Sequence, residues 1–270
     1  MGETKMQNFN YHTHTYRCGH ADRQMQDEDY VKEFIQRNFK KIAFTDHCPQ
    51  KNRIDTKPNS RMEYHQKDEY LQSIHQLQQK YYDTIQIETG FEVEYLPGEE
   101  KNLLELKRNV DKIILGQHFI YDKNKNLKRT RSENFNDEEM LTYAEYVCTA
   151  IKKEIPDMIA HPDLYMCNRK IFGKIEEQVA RKICKTAQDY QIPLEINLGD
   201  IYEHRIGYEE EIQYPRREFW NIASEYVIKV LYGIDAHHKN QIATYDKSIA
   251  IANEIIGQEI LSKLHFCENV

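Results

Sequence analysis

The sequence predicts an α/β fold: one closed or nearly closed barrel of parallel strands, with a functional site at their carboxyl ends. Three observations carry this. Short runs rich in Val, Ile, Leu or Phe alternate with longer amphipathic stretches from one end of the chain to the other. Strands buried between helices imply parallel pairing and right-handed crossovers. Seven β/α units follow one another without a composition break, a repeat of fixed period or a low-complexity linker, which favours one barrel over two domains. The 270 residues alone would allow either. A single domain over residues 1–270 is therefore expected.

The first strand is Phe9–Thr15, ending in Tyr-His-Thr-His-Thr. A helix over Asp29–Asn38 follows, with Tyr30, Val31, Phe34 and Ile35 on one face. The second and third strands, Lys41–His47 and Ile85–Glu94, are too short for helices and give way to polar loops. Gly90, inside the third, allows another backbone to come close. The fourth strand is Lys112–Ile120. Asn136 with Glu139 makes a capping box that opens a long helix over Asn136–Glu154. Then come the fifth strand Met158–Asp163, a helix over Lys174–Tyr190, the sixth strand Leu194–Gly199, the seventh Val230–His237 and a last helix over Tyr245–Leu264. Two loops are long and polar. Cys48–Glu63, with Pro49, Pro58, Asn59 and Ser60, is long enough to fold over a site. Tyr121–Asp137 carries Lys123, Lys125, Lys128, Arg129 and Arg131 and reads as a solvated loop.

Composition narrows the class. Hydrophobic residues make up 40% of the chain, enough for a core that buries about three quarters of the unfolded surface, so disorder is excluded. Lys plus Arg is 37 and Asp plus Glu is 44, a net charge of 37 − 44 = −7. That acidity argues against nucleic acid as the main partner. No apolar run approaches the roughly 20 residues of a membrane span, and no secretory signal is visible in the polar, aromatic first segment. The six cysteines form no CxxC pair and read as reduced thiols of a cytoplasmic protein.

Histidine placement is more informative. His12 and His14 stand at i and i+2 on the first strand, so both imidazoles point to one face and reach one ion. His20 follows six residues on. The second strand ends at Asp46 and His47, the third reaches Glu92, and the fourth ends at His118. The fifth gives His161 with Asp163, and the seventh gives Asp235 and His237 at i and i+2. In a parallel barrel these strand ends converge on one face. His65, His75, His204, His238 and His265 lie elsewhere and read as structural or surface residues.

The seven histidines at or just after strand ends, with Glu92 and Asp235, make nine donors, too many for one ion. Imidazole and carboxylate without thiolate suit zinc, iron or manganese. Two or more close ions suit the hydrolysis of phosphate esters, generating hydroxide near neutral pH and neutralising phosphoryl charge. No GxSxG elbow, Walker A loop or GxGxxG turn offers a competing chemistry. Cys18 and Cys48 adjoin the proposed ligands and read as small packing residues.

The segments YHTHTYRCGHA (11–21), AFTDHCP (43–49), GFEVEYLPG (90–98), ILGQHFI (113–120), IAHPDL (159–164), LEINL (194–198) and GIDAH (233–237) resemble, in order, those of the PHP (polymerase and histidinol phosphatase) family. They are most similar to its stand-alone histidinol-phosphate phosphatases. The resemblance implies a distorted (β/α)7 barrel with three divalent ions at the carboxyl ends of the strands. His12, His14, Glu92 and Asp235 would hold the first ion. Glu92, as the bridge, would hold the second with His118 and His161, and His20, His47 and His237 the third. The implied reaction is hydrolysis of L-histidinol phosphate, a small-molecule phosphate ester, in histidine biosynthesis. Phosphate-gripping arginines are expected after the fifth and sixth strands, where Arg169 and Arg205 stand, with Arg216 competing for the second place. Asp46, Asp163 or a metal-bound water would protonate the leaving alkoxide. Two rivals remain: a PHP-type phosphoesterase acting on nucleotides or nucleic-acid ends, which needs a basic channel, and a non-catalytic metal-binding barrel.

Overall fold

The structure, a computed structural model, describes residues 7–49, 60–167, 169–208 and 210–269. Among the described residues are ten strands and ten α-helices. The strands are β1 (Phe9–Asn10), β2 (Lys41–His47), β3 (Gln86–Val93), β4 (Lys112–Leu115), β5 (Phe119–Tyr121), β6 (Leu127–Arg129), β7 (Met158–Ile159), β8 (Leu194–Asn197), β9 (Lys229–Gly233) and β10 (His265–Phe266). The helices are α1 (Asp27–Gln36), α2 (Lys67–Lys80), α3 (Glu100–Lys107), α4 (Asp137–Lys152), α5 (Lys174–Tyr190), α6 (Gly199–Arg205), α7 (Arg217–Ala223), α8 (Lys239–Ala243), α9 (Tyr245–Ile256) and α10 (Gln258–Leu261). Eight strands form one sheet in the order β1-β2-β3-β4-β7-β8-β9-β10, every pair parallel. The fold is a distorted (β/α)7 barrel, and each of the seven predicted runs supplies one of its strands.

The distortion lies at the seam between β1 and β9. Beyond β1, Thr13 bridges Ala236, with His14 N donating to Ala236 O at 2.9 Å and Ala236 N to His12 O at 3.2 Å. The seam is therefore joined at the carboxyl end. At the amino end β10 takes the same edge of β9, Cys267 N donating to Val230 O at 2.8 Å. This eighth strand was not predicted. The stretch read as one helix, Tyr245–Leu264, breaks at Gly257 into α9 and α10, and the chain then returns to the sheet.

Side-chain alternation divides the core in two. Ile42, Phe44, Phe91, Val93, Ile113 and Leu115 face the helices and belong to the large outer core. Residues one step along the strands face inward, where Phe9, Ile114, Met158, Ala160 and Leu231 plug the amino-terminal half of the barrel. Above that plug the interior turns polar but stays buried, with Glu92, Glu195 and Asn197.

Two further expectations change. The run Lys112–Ile120 is not one strand: β4 stops at Leu115, and β5 pairs antiparallel with β6 as a hairpin. The basic segment Tyr121–Asp137 thus carries structure, and two of its cations, Lys128 and Arg131, have carboxylate partners. Lys128 Nζ lies 2.8 Å from Glu139, and Arg131 lies 2.7 Å from Asp200 and 2.9 Å from Glu203. The capping box opens α4 as expected, Glu139 N donating to Asn136 at 3.0 Å and Asn136 N to Glu139 at 2.8 Å. Of the loop expected to cover the site, residues 50–59 lie outside the described residues.

Candidate metal centre

The predicted ligands meet at the carboxyl end of the barrel. His12 and His14 are fully buried, their rings 5.0 Å apart. Asp235 Oδ1 lies 3.4 Å from His12 Nε2 and 3.1 Å from His14 Nε2. On the other side of the same pair, Glu92 Oε1 lies 3.6 Å from His12 Nε2 and Oε2 lies 3.7 Å from His14 Nε2. Glu92 Oε1 is also 2.9 Å from His161 Nε2 and 3.3 Å from His118 Nε2. One carboxylate therefore stands between two sets of imidazoles, as a bridging ligand must. A third set, His20, His47 and His237, brings its donor atoms within 4.8 Å of one another. Cys18, fully buried, comes within the same reach of His14 and His237.

The donor chemistry fits divalent ions. His12 Nε2, His14 Nε2, Asp235 Oδ1 and His237 Nε2 are buried and make no hydrogen bond among the described residues, and the short contact of buried Glu92 Oε2 is with another member of the cluster, His47 Nδ1, at 2.8 Å. Stranded polar atoms are costly, and an ion bound among them would remove that cost. The charges point the same way. Burial disfavours ionised Glu92, yet His118, His47 and His12 hold its carboxyl well below the usual range. Asp235 behaves alike through His12, His14 and His237. Burial, reinforced by His14 and His20, pushes His237 well down, while burial pushes His47 down to about 3 against the pull of Glu92. Burial opposes charge on His12, His14 and His161 too, but the carboxylates Asp235, Asp46, Glu195 and Glu92 around them raise all three, His14 to about 9, so the acidic groups draw positive charge into the cleft.

Several of the candidate ligand rings are held from behind, although His161 Nδ1 has no partner among the described residues. His237 Nδ1 lies 3.0 Å from the Asp235 carbonyl, and His20 Nδ1 lies 3.2 Å from that of Cys18. His118 Nδ1 faces Glu94 at 3.1 Å, and buried Arg61 clamps that carboxylate at 2.9 and 3.1 Å. His12 Nδ1 lies 2.9 Å from Glu195. Arg17 pins the segment leading to Cys18 and His20 against two helices, at 2.8 Å from Asp27 of α1 and 2.7 Å from Glu69 of α2. Two ligands sit in unusual backbone: His161 at φ 29° and Asp235 at φ 53°. Such conformations concentrate at functional sites. Close approach also fixes Gly116, where a Cβ would lie 1.9 Å from Glu92 Oε1.

The proposed proton donors and arginines fare differently. Asp46 is fully buried behind His14, accepting from Thr15 N at 3.2 Å, Thr15 Oγ1 at 2.5 Å and His47 N at 2.7 Å. Its contacts tie His14, Thr15 and His47 together. Asp163 is equally buried, accepting from Arg216 N at 2.7 Å and Trp220 Nε1 at 3.2 Å, and burial pushes it up to about 6. It anchors the loop after β8. Arg169 is tied to Glu176, Asp137 and the Phe135 carbonyl, and Arg205 to the hydroxyls of Thr244 and Ser248 at 3.3 Å. Both expected phosphate contacts are thus engaged in joining elements. Arg216 differs: the carboxylate contact of its side chain is Glu218 at 3.8 Å, and its main chain sits on Asp163, two residues from His161.

The sequence reading missed Glu195, Glu94, Arg61 and Tyr214, whose ring centroid lies 6.1 Å from that of His161. Glu94 was visible as the next inward position after Glu92. Glu195 was visible as a carboxylate inside a buried four-residue strand.

The family model of the PHP domain matches residues 10–199. The chain belongs to the PHP domain family. A relative of this PHP chain, "Probable histidinol-phosphatase" of Schizosaccharomyces pombe, is 26% identical over 258 residues, covering 86% of this chain and 81% of the relative. Among solved structures, a histidinol phosphatase candidate, hisK of Listeria monocytogenes, superimposes with a TM-score of 0.72 at 21% identity, over 88% of this chain and 99% of that one. The histidinol phosphate phosphatase of Lactococcus lactis, solved with zinc, L-histidinol and phosphate, gives 0.65 at 18% identity, over 96% and 95%. Both share the fold of this PHP chain.

Proposed function

We propose that this chain is a metal-dependent phosphomonoesterase that hydrolyses L-histidinol phosphate to L-histidinol and inorganic phosphate. The observation that carries the reading is the Glu92 carboxylate set between His12 and His14 on one side and His118 and His161 on the other. That is a donor set for adjacent ions, on a chain whose Schizosaccharomyces pombe relative is named a histidinol-phosphatase. Three divalent ions, zinc, iron or manganese, are assigned to His12, His14, Glu92 and Asp235; to Glu92, His118 and His161; and to His20, His47 and His237. When bound, such ions lower the pKa of water and offset phosphoryl charge.

The rest falls to the chain's own residues. Glu92 fixes the spacing of the two neighbouring sets. Arg216 takes the place first given to Arg205 and grips phosphate from the loop after β8, its position fixed by Asp163 and Trp220. One domain over residues 1–270, placed in the cytoplasm, carries the activity. None of the helices among the described residues is long and apolar enough to cross a membrane. The pairing of Lys128 and Arg131 with carboxylates favours a small phosphate ester over nucleic acid.

The test is phosphate release by the metal-loaded protein from L-histidinol phosphate, from nucleotides and from single-stranded DNA ends. Preference for histidinol phosphate is expected. Faster release from a nucleotide or a DNA end would replace this substrate with the nucleic-acid reading.

A further inference from the structure

A carboxylate that binds no ion in this assignment touches two of the ligand histidines at once. Glu195 is fully buried on β8. Its Oε1 lies 2.9 Å from His12 Nδ1, and its Oε2 accepts from the main-chain N of His161 at 2.9 Å and from Asn197 Nδ2 at 2.8 Å. Asn197 Nδ2 in turn lies 3.3 Å from Asp235 Oδ2. Room for this carboxylate comes from β9, where a Cβ on Gly233 would lie 1.7 Å from Glu195 Oε1. A buried carboxylate on an inward strand position needs partners to be tolerated, and these partners are ligands or their neighbours.

We propose that Glu195 is the positioning residue that couples the first two ion sites. Its contact with Nδ1 fixes His12 as the Nδ1–H tautomer, leaving the Nε2 lone pair for the cleft. Its contact with the His161 main chain holds that residue in the positive-φ conformation that aims the ring at Glu92. One side chain thereby sets the donor atom on one side of the Glu92 bridge and the ring direction on the other. Glu195→Gln separates this role from simple packing. The amide has the same shape but one acceptor. If its oxygen keeps the His161 N–H, its NH2 faces His12 Nδ1 and drives the proton to Nε2, which removes the lone pair.

The inference rests on the metal-ligand reading, so the test measures ions directly. Zinc affinity and stoichiometry would be read by titration of metal-stripped full-length protein, with thermal unfolding as a check on the fold. Imidazole nitrogen shifts of His12 would be read by NMR on the metal-stripped protein, at a pH where the ring is neutral. Glu195→Gln is expected to weaken zinc binding by about 10- to 100-fold, the usual effect of losing a ligand's outer partner, with an Nε2–H signal appearing for His12. Gly233→Ala, which pushes the carboxylate aside without removing it, should weaken binding in the same direction. It serves in place of Glu195→Gln if that variant does not fold. Glu195→Asp should recover part of the affinity. Unchanged zinc affinity in folded Glu195→Gln or Gly233→Ala, with His12 still Nδ1–H, would overturn the proposal while leaving the ligand assignment intact. If the unaltered chain binds no zinc, the ligand assignment itself fails and takes the proposal with it.

Discussion

Glu92 has the most to lose from a change of one atom. Glu92→Gln keeps its shape but replaces a shared negative charge with a neutral, weaker donor. Loss of an outer partner alone costs about 10- to 100-fold, so activity should fall by at least the upper figure with the fold retained. Near-normal turnover with full metal content would mean that Glu92 is not the bridge. The arginines give a second comparison. A charge-assisted hydrogen bond is worth about 1.5–3 kcal/mol, or about 10- to 150-fold in kcat/KM. Arg216→Ala should show that loss together with weaker inhibition by inorganic phosphate. Arg169→Ala and Arg205→Ala should lower the unfolding temperature instead, since their partners are Glu176 and Asp137, and Thr244 and Ser248. A large kcat/KM loss in Arg205→Ala with none in Arg216→Ala would return the phosphate grip to α6. At this scale the cluster was legible because His-x-His and Asp-x-His put two donors on one face of a strand. The arginines were not. Nothing in sequence spacing tells whether a guanidinium is already tied to a carboxylate from another element.

Among the elements, the join between the first loop and the two helices that follow it has the clearest energetics. Arg17 is buried and bridges α1 to α2 through Asp27 and Glu69. Asp27 is itself buried, with Ser73 as its other side-chain partner at 2.5 Å. Removing one member of a buried pair strands the other, at a cost of about 3 kcal/mol. Arg17→Ala should lose that much in urea unfolding. A loss indistinguishable from zero would mean that solvent reaches Asp27 in place of the guanidinium. Strand and helix identities were legible from hydrophobic runs and their lengths, and the Asn136–Glu139 cap from its spacing. Two breaks were hidden. From Ile113 to Ile120 the run is apolar except at Gly116-Gln117-His118, where close approach to Glu92 interrupts the ladder. β10 is two residues long, too short to leave a periodic signal, and exists because the edge of β9 is open at its amino end.

For the molecule as a whole, the proposed ions would be cross-links between distant parts of the chain. The proposed ligands come from the ends of β1, β2, β3, β4, β7 and β9 and from the loop holding His20. Chelation should therefore lower the unfolding temperature. A ligand present at 100 times its Kd contributes about 2.7 kcal/mol. The all-imidazole set, His20, His47 and His237, has no carboxylate of its own to offset ionic charge and should empty first under a mild chelator. Equal loss of every ion would contradict that order. The seam gives the effect a location. His12 and His14 stand on one side of it and Asp235 and His237 on the other, and near them the two edges are joined by the His14–Ala236 and Ala236–His12 hydrogen bonds. An ion held by His12, His14 and Asp235 is a rivet across that line. Without it, the barrel should unzip there before any helix melts. The amide protons of His14 and Ala236 should then exchange with deuterated solvent far faster in the stripped protein than in the loaded one, while those of β2 and β3, paired on both edges, keep their protection.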